Sequence, residues 1–182
     1  MILNVLVVAL LAGAAYSLSR WWTVINDDVP AAPFEGDTTT PDTDTTIPMT
    51  YAPPKRSGPY LAAIRAAEAS YGLPTNLLVR LLELESGYLP DIVSGKIKSP
   101  KGAVGIAQFL PYVAKSFNVN PLNADEAIKG AARYLSQLQK RFGDWKQAAA
   151  AYNWGPTNLA RYGFEKAPKA TREYVEKIAV VL

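Results

Sequence analysis

Apolar side chains recur every three to four positions along most of the chain after residue 56, which is typical of amphipathic helices. This pattern predicts helices over 57–72, 74–87, 123–143, 144–155, 157–163 and 170–182. No alternation of polar and apolar residues is long enough for a strand, and no internal repeat is visible. The sequence therefore predicts an all-α domain over residues 57–182.

The helix predicted over 74–87 contains the most informative polar residue of the chain. Pro74 suits its first turn. Leu78 and Leu82 form part of an apolar stripe, and the next position on that stripe is Glu85. By ~100° per residue, Glu83 lies about 200° away from Glu85. We therefore predict that Glu83 is solvated and that Glu85 points towards the core.

A carboxyl group on a buried stripe loses hydration, which disfavours its charged form and raises its pKa from about 4.3. A glutamic acid with a pKa of roughly 6–7 can donate a proton near neutral pH. The position therefore suits a general acid. It leaves an alternative open, in which Glu85 is a structural residue near a helix end and accepts bonds from loop amides.

The composition excludes several kinds of active site. The chain contains no cysteine and no histidine. There is accordingly no disulfide, no Ser-His triad, no Cys-His pair and no ordinary zinc site. Acid–base chemistry must come from Asp, Glu, Lys or Tyr.

The beginning of the chain has a different character. Residues 1–19 are almost wholly apolar and are followed by Arg20, Trp21 and Trp22. Such a run covers about 27 Å as a helix, enough for a bilayer core, with the tryptophans at the interface. We predict a transmembrane anchor over residues 1–22. A cleaved signal peptide is the alternative, although no Lys or Arg precedes the apolar run.

Residues 23–56 are rich in Thr, Pro and Asp and show no periodicity, which predicts a disordered tether. From residue 57 onward the chain has sixteen basic and ten acidic residues, a net charge of +6. A basic domain suits an anionic polymer. The basic residues are scattered and no nucleic-acid motif is present, which disfavours nucleic acid and leaves a membrane surface or cell-wall glycan as the partner.

Four motifs occur in order within residues 58–180: ESG at 85–87, GAVGIAQ at 102–108, AYNWGP at 151–156 and TREYV at 171–175. Together they resemble the catalytic domain of the soluble lytic transglycosylase family, whose lysozyme-like fold is related to that of goose-type lysozymes. The corresponding family patterns are GAxGLMQ, AYNAGP and ETRxYV for the last three motifs. Each motif is weak by itself, and their order makes the resemblance specific.

The resemblance implies roles for particular residues. Glu85 would be the catalytic acid and then the base. Gln108, in a predicted helical turn, would bind the sugar beside the cleaved bond. Tyr152 would form a hydrogen bond near Glu85 and the reacting sugar, and Asn153 would brace the site.

The family also has a serine after its ESG-like motif. Ser94 has the usual spacing from Glu85, whereas Ser99 directly precedes the GA motif, with an apparent insertion between the two serines. We predict Ser94 as the site serine. Ile106 and Ala107 replace the commoner Leu-Met pair, which we expect to alter a substrate-facing contact.

The implied reaction cleaves the β-1,4 bond between N-acetylmuramic acid and N-acetylglucosamine in peptidoglycan. Glu85 would protonate the leaving oxygen and then take a proton from the muramyl 6-hydroxyl, which closes a 1,6-anhydro ring. Intramolecular attack reaches effective molarities of ~10⁵ M or more, so a second carboxylate is not required. No metal or organic cofactor is implied.

Two alternatives stay open. The first is a hydrolase on the same fold, with Asp91 or another acid positioning water. The second is a non-catalytic membrane or virion protein that only binds wall glycan. For the setting, we predict a membrane-anchored protein acting in the periplasm on the cell wall. A membrane-containing phage virion and genome entry are favoured over a bacterial envelope machine, and protein partners are not identified.

Overall fold

The computed structural model describes residues 51–182, and this part of the chain is helical apart from turns and an isolated β-bridge between Val104 and Phe109. Short 3₁₀ segments occur at Lys55–Tyr60 and Phe164–Lys166. The α-helices of this part are α1 Leu61–Tyr71, α2 Leu77–Ser86, α3 Pro90–Val93, α4 Pro111–Ser116, α5 Ala124–Phe142, α6 Trp145–Trp154, α7 Pro156–Tyr162 and α8 Lys169–Ala179. The all-α prediction is confirmed for these residues.

The predicted anchor over residues 1–22 and most of the predicted tether over 23–56 lie outside the described residues. Between residues 51 and 182, none of the helices combines the length and apolar character that crossing a bilayer requires.

The longest helix, α5, forms the base on which the site is built. It begins where the Asn123 side chain accepts a hydrogen bond from the Glu126 N–H at 3.2 Å, and it ends at Gly143 with a φ of 91°. Its predicted apolar stripe is buried, with Ile128 and Leu135 fully enclosed. Helices α1 and α6 pack against α5, and α8 packs on α6. The last turns of α6 are thereby brought beside α8.

Helix α2 packs between α1 and α8, and its stripe of Leu78, Leu81 and Leu82 is fully buried. It begins at Leu77, so the prediction that Pro74 lies in its first turn is wrong. The Pro74 carbonyl instead accepts a turn hydrogen bond from the Leu77 N–H at 3.1 Å. Glu68 of α1 accepts the Leu78 N–H at 2.9 Å and satisfies one of the free donors at the helix start. A side chain distant in sequence therefore supplies this cap.

The predicted solvated face of α2 is largely covered. The Glu83 side chain is only 16% exposed, and it accepts hydrogen bonds of 2.8 Å from both Tyr51 and Arg80. Arg80 also donates to the Lys177 carbonyl of α8 at 3.0 Å. The prediction for Glu83 was wrong because helical periodicity does not reveal that other segments return across this face.

Candidate active site

A cleft of about 400 Å³ opens beside the end of α2. Its walls are formed by the C-terminal turn of α2, the loop over 99–110, helix α4, one tyrosine of α5 and the junction between α6 and α7. The acidic residue in its wall is Glu85. Gln108, Tyr152 and Asn153 also line this cleft. Four of the five residues predicted for the site are thus brought together.

Glu85 is the penultimate residue of α2, and Gly87, which follows the helix, adopts a φ of 57°. Its side chain is buried, with the residue 7% exposed. The Tyr174 hydroxyl donates to Oε1 of Glu85 at 2.8 Å. Burial raises the pKa of Glu85 to about 7, and the bond from Tyr174 acts in the opposite direction. Near neutral pH the carboxyl group can therefore both give up and take back a proton.

The contact of Tyr174 with Glu85 was not predicted from the sequence. Tyr174 lies on α8 and is 1% exposed, and burial beside Glu85 raises its pKa well above the ordinary value. Its hydroxyl therefore keeps its proton and serves as a donor to Glu85. The contact also contradicts the alternative in which Glu85 accepts hydrogen bonds from loop amides, because its donor is a tyrosine of another helix. The buried stripe of α8, which includes Thr171 and Ile178, was the available signal.

Tyr152 lies in the cleft wall, but its hydroxyl donates to the Ala107 carbonyl at 2.9 Å rather than to Glu85. The ring packs against those of Tyr134 and Phe109, with centroids 5.4 and 6.3 Å away. Burial, followed by the nearby charge of Glu85, raises the pKa of Tyr152. Tyr152 therefore joins α6 to the loop that carries Gln108.

Gln108 lies in a tight turn with a φ of 47°, closed by the Val104–Phe109 bridge, so the predicted helical turn is wrong. Its Nε2 donates to the Gly105 carbonyl at 2.9 Å. Gly105 has a φ of 79°, and a Cβ atom there would lie 1.8 Å from the Pro121 carbonyl oxygen. This close approach requires glycine at position 105, which explains the second glycine of the GAVGIAQ motif.

The Asn153 side chain is oriented by a hydrogen bond from α8. Its Oδ1 accepts a hydrogen bond from the Thr171 hydroxyl at 3.0 Å, and Thr171 is fully buried on α8. Through Thr171 and Tyr174, α8 therefore fixes the side chains of both Asn153 and Glu85.

The structure does not support Ser94 as the site serine. Ser94 is exposed, caps the short helix α3 by donating to the Asp91 carbonyl at 3.3 Å, and does not line the cleft. Ser99 lines the cleft, and its hydroxyl accepts the Ala103 N–H at 2.9 Å. The spacing from Glu85 wrongly favoured Ser94, because the chain forms helix α3 after Glu85 and reaches the cleft only at Ser99.

Two further predictions change with the geometry. Ile106 and Ala107 are 0% and 1% exposed and belong to the core, so the expected substrate-facing contact is wrong. The Asp91 side chain is 56% exposed, pairs with Lys96 at 3.3 Å and lies outside the cleft wall. Among the described residues that line the cleft, Glu85 is the only carboxylic acid.

Comparison with known proteins identifies the family of the chain. Residues 62–175 match the family described as the Transglycosylase SLT domain. A protein of Enterobacteria phage PRD1 named Transglycosylase is 34% identical over 116 residues, which cover 63% of this chain and 40% of the relative. Membrane-bound lytic murein transglycosylase F of Pseudoalteromonas translucida is 39% identical over 100 residues, covering 49% of this chain and 20% of the relative. The match thus spans less than half the length of either relative.

Solved structures show the same fold. An inactive mutant of the lytic transglycosylase Slt from Pseudomonas aeruginosa superposes with a TM-score of 0.56 at 22% identity, covering 67% of this chain and 23% of that chain. The 70 kDa soluble lytic transglycosylase SLT70 from Escherichia coli gives 0.54 at 22% identity, with the same coverage. Because the family match covers more than half of the chain and includes every motif that lines the cleft, the chain belongs to the SLT transglycosylase domain family.

Proposed function

We propose that this chain cleaves the β-1,4 bond between N-acetylmuramic acid and N-acetylglucosamine of peptidoglycan as a lytic transglycosylase, with Glu85 as the acid and then the base. The observation that carries the proposal is the buried Glu85 carboxyl in the cleft wall, whose pKa burial raises to about 7. Membership of the SLT transglycosylase domain family supports the reaction class.

In the first step, protonated Glu85 gives its proton to the glycosidic oxygen while the bond from that oxygen to the muramyl C1 breaks. The glucosamine-containing fragment leaves with a new 4-hydroxyl. The Glu85 carboxylate then takes the proton of the muramyl 6-hydroxyl, and O6 forms the new bond to C1. The product is a 1,6-anhydro ring, and Glu85 is protonated again.

Tyr174 suits the charged stage of this cycle. Its hydroxyl bonds Oε1 of Glu85 at 2.8 Å, and a hydrogen bond of this kind is stronger to a carboxylate than to a neutral carboxyl group. Burial alone would hold the proton on Glu85 too firmly for the first transfer. The Tyr174 bond moderates that effect and leaves the other carboxyl oxygen for the substrate.

The remaining site residues receive supporting roles. We assign Gln108 to the sugar beside the cleaved bond, since its Nε2 is engaged by Gly105 and its Oε1 can accept from a sugar hydroxyl or amide. Asn153, held by Thr171, and Tyr152, held by the Ala107 carbonyl, shape the wall next to Glu85. Ser99 replaces Ser94 as the serine of the site.

Hydrolysis is the competing outcome. A lysozyme-type hydrolase uses a second carboxylate about 5–9.5 Å from the acid. The described part of the cleft wall offers none besides Glu85, and the exposed Asp91 is paired with Lys96. Ring closure by the 6-hydroxyl requires no second acid, which favours transglycosylation.

Product analysis tests the proposal. Purified peptidoglycan is digested with the full chain and with Glu85→Gln, and the released muropeptides are identified by mass spectrometry. We expect 1,6-anhydro ends from the wild type and loss of at least about a thousandfold in rate from Glu85→Gln. Reducing ends would establish hydrolysis, and equal digestion by both proteins would refute the role of Glu85. No digestion by either protein would leave a glycan-binding function.

The domain arrangement and the setting are also proposals. A membrane anchor at residues 1–22, a tether at 23–56 and a catalytic domain at 57–182 would hold a wall-cutting domain above a membrane, facing the periplasmic cell wall. The relative named Transglycosylase comes from a phage, which supports a phage setting. Detecting the protein only in bacterial envelopes and never in purified virions would refute the phage setting, and recovery in the soluble fraction would refute the anchor.

A further inference from the structure

Trp154 is the residue at which the third motif departs most clearly from the family pattern, since AYNWGP stands in place of AYNAGP. It is the last residue of α6 and is partly exposed. Its side chain has no role in the proposed proton transfers. Nevertheless, it lines the same cleft as Glu85.

The Trp154 indole packs against a second aromatic ring. Tyr162 of α7 lies against it, with ring centroids 6.1 Å apart and an interplanar angle of 33°. The Asn158 side chain donates to the Trp154 carbonyl at 2.9 Å, and the neighbouring Asn153 is tied to Thr171. Trp154 is therefore a preorganised aromatic surface, which reduces the entropy lost when a ligand binds to it.

An aromatic face beside amide and hydroxyl groups is chemically suited to a pyranose ring. The ring presents a face of C–H bonds, while its hydroxyl and acetamido groups project around the rim. Trp154 offers the apolar surface, and Asn158 and Thr157 offer polar groups in the same wall. A large aliphatic side chain would bury the C–H face but would lack the electron-rich face that attracts polarised C–H bonds.

We infer that Trp154 is a stacking surface for an N-acetylated amino-sugar ring of the glycan strand, a binding contact additional to those around the cleaved bond. This inference rests on the proposed function, because the occupant is a sugar of the same strand that Glu85 cleaves. Trp154 then determines how tightly the strand is held, while the proton transfers belong to Glu85.

The test measures binding without cleavage. The full chain carrying Glu85→Gln is titrated calorimetrically with the tetrasaccharide of alternating N-acetylglucosamine and N-acetylmuramic acid. We expect Trp154→Leu in this background to raise Kd about tenfold, and Trp154→Phe to raise it no more than about threefold. The matched control is Trp145→Phe, a tryptophan at the start of the same helix that does not line the cleft. It should leave Kd unchanged.

A second measurement keeps the native side chain. The indole N–H signals of ¹⁵N-labelled Glu85→Gln protein are followed by NMR during the same titration, with the Trp154 signal assigned from its absence in Trp154→Phe. The Trp154 signal should shift with the sugar while that of Trp145 stays in place. Equal Kd values for the Leu and Phe variants and the parent, or an unmoved Trp154 signal in a protein that binds the sugar, would overturn the inference.

These outcomes separate the inference from the proposed function. If binding depends on Trp154 but the wild type does not cleave peptidoglycan, the catalytic proposal is refuted and the sugar contact is supported. Cleavage by the wild type with binding indifferent to Trp154 would refute the sugar contact alone. If the Glu85→Gln protein does not bind the tetrasaccharide at all, the sugar contact is also refuted.

Discussion

Replacing Tyr174 by phenylalanine removes one atom from the site and tests how Glu85 is tuned. The Tyr174 hydroxyl donates to Oε1 of Glu85 at 2.8 Å, and both residues are buried. This bond lowers the pKa of Glu85 against the larger effect of burial, which raises it. Tyr174→Phe keeps the ring that packs in the core and removes only the donor. The pKa of Glu85 should therefore rise.

The size of the shift follows from the strength of the bond. A hydrogen bond to a charged group contributes about 1 kcal/mol more than one between neutral groups, and 1.36 kcal/mol corresponds to about one pKa unit. Loss of the donor should thus raise the pKa of Glu85 by about one unit from its value of about 7. The carboxylate formed after the first proton transfer also becomes less stable by about 1 kcal/mol, which slows turnover about fivefold at low pH.

The assay is the pH dependence of kcat/KM on soluble glycan strands. Glu85 acts first as an acid, so activity is present below its pKa and falls as the pH rises through it. We expect the alkaline limb to lie near pH 7 in the wild type and about one unit higher in Tyr174→Phe. A limb that stays in place or moves to lower pH would refute the reasoning.

Tyr88→Phe is the matched control. Tyr88 is 3% exposed, and its hydroxyl donates to the Val79 carbonyl of α2 at 2.7 Å. The two substitutions remove the same atom from two buried tyrosines bonded to the same helix, and each should lower the free energy of unfolding by about 1 kcal/mol. Only the change at Tyr174 should move the alkaline limb. An equal movement in the control would show that the effect is structural.

Stability should also depend on the ionisation of Glu85. Because its pKa is raised in the fold from 4.5 to about 7, its contribution is full below about pH 4.5 and lost as the pH rises through about 7. Urea unfolding should therefore find Glu85→Gln more stable than the wild type by up to about 3 kcal/mol at about pH 8 and similar at about pH 4, and a constant difference would contradict this. Ser99→Ala should lower kcat/KM about fivefold, because the hydrogen bond from the Ala103 N–H to the Ser99 hydroxyl is lost. Ser94→Ala should leave kcat/KM unchanged. A larger loss from Ser94→Ala than from Ser99→Ala would contradict the assignment of the serine. Gly105→Ala should lower the free energy of unfolding by more than about 3 kcal/mol, because the added Cβ meets the Pro121 carbonyl. Gly102→Ala, where the added Cβ meets open space, should lower it by about 1–2 kcal/mol. Similar losses for the two variants would contradict the close approach at Gly105.

Local patterns sufficed for the longer helices and for the direction of Glu85, whereas the short helices α3 and α4 were not predicted. Helix α5 closely matches the predicted range 123–143, because the Asn123 side chain and the left-handed Gly143 act within one turn of chain. The leucine stripe of α2 is buried as predicted, and Glu85 shares its burial because helical periodicity fixes which side chains face the same way. The motifs 102–108 and 151–156 indicated which segments meet in the cleft.

Contacts between distant segments could not be predicted in the same way. Tyr174 reaches Glu85 across 89 positions of sequence, and Tyr51 reaches Glu83 across 32. The apolar stripe of α8 marks Tyr174 as buried but does not show which group its hydroxyl contacts. The prediction of Ser94 as the site serine failed for a related reason, because the path of the loop decides which serine enters the cleft, and that serine is Ser99.

The central claim is that Glu85 holds its proton up to neutral pH within the cleft, and its pKa can be measured directly. Protein labelled with ¹³C at the glutamate side-chain carboxyl groups is titrated by NMR, and the Glu85 signal is assigned by its absence in Glu85→Gln. We expect this signal to titrate at about 7, well above the ordinary value of 4.5. A midpoint at or below the ordinary value of 4.5 would contradict the account.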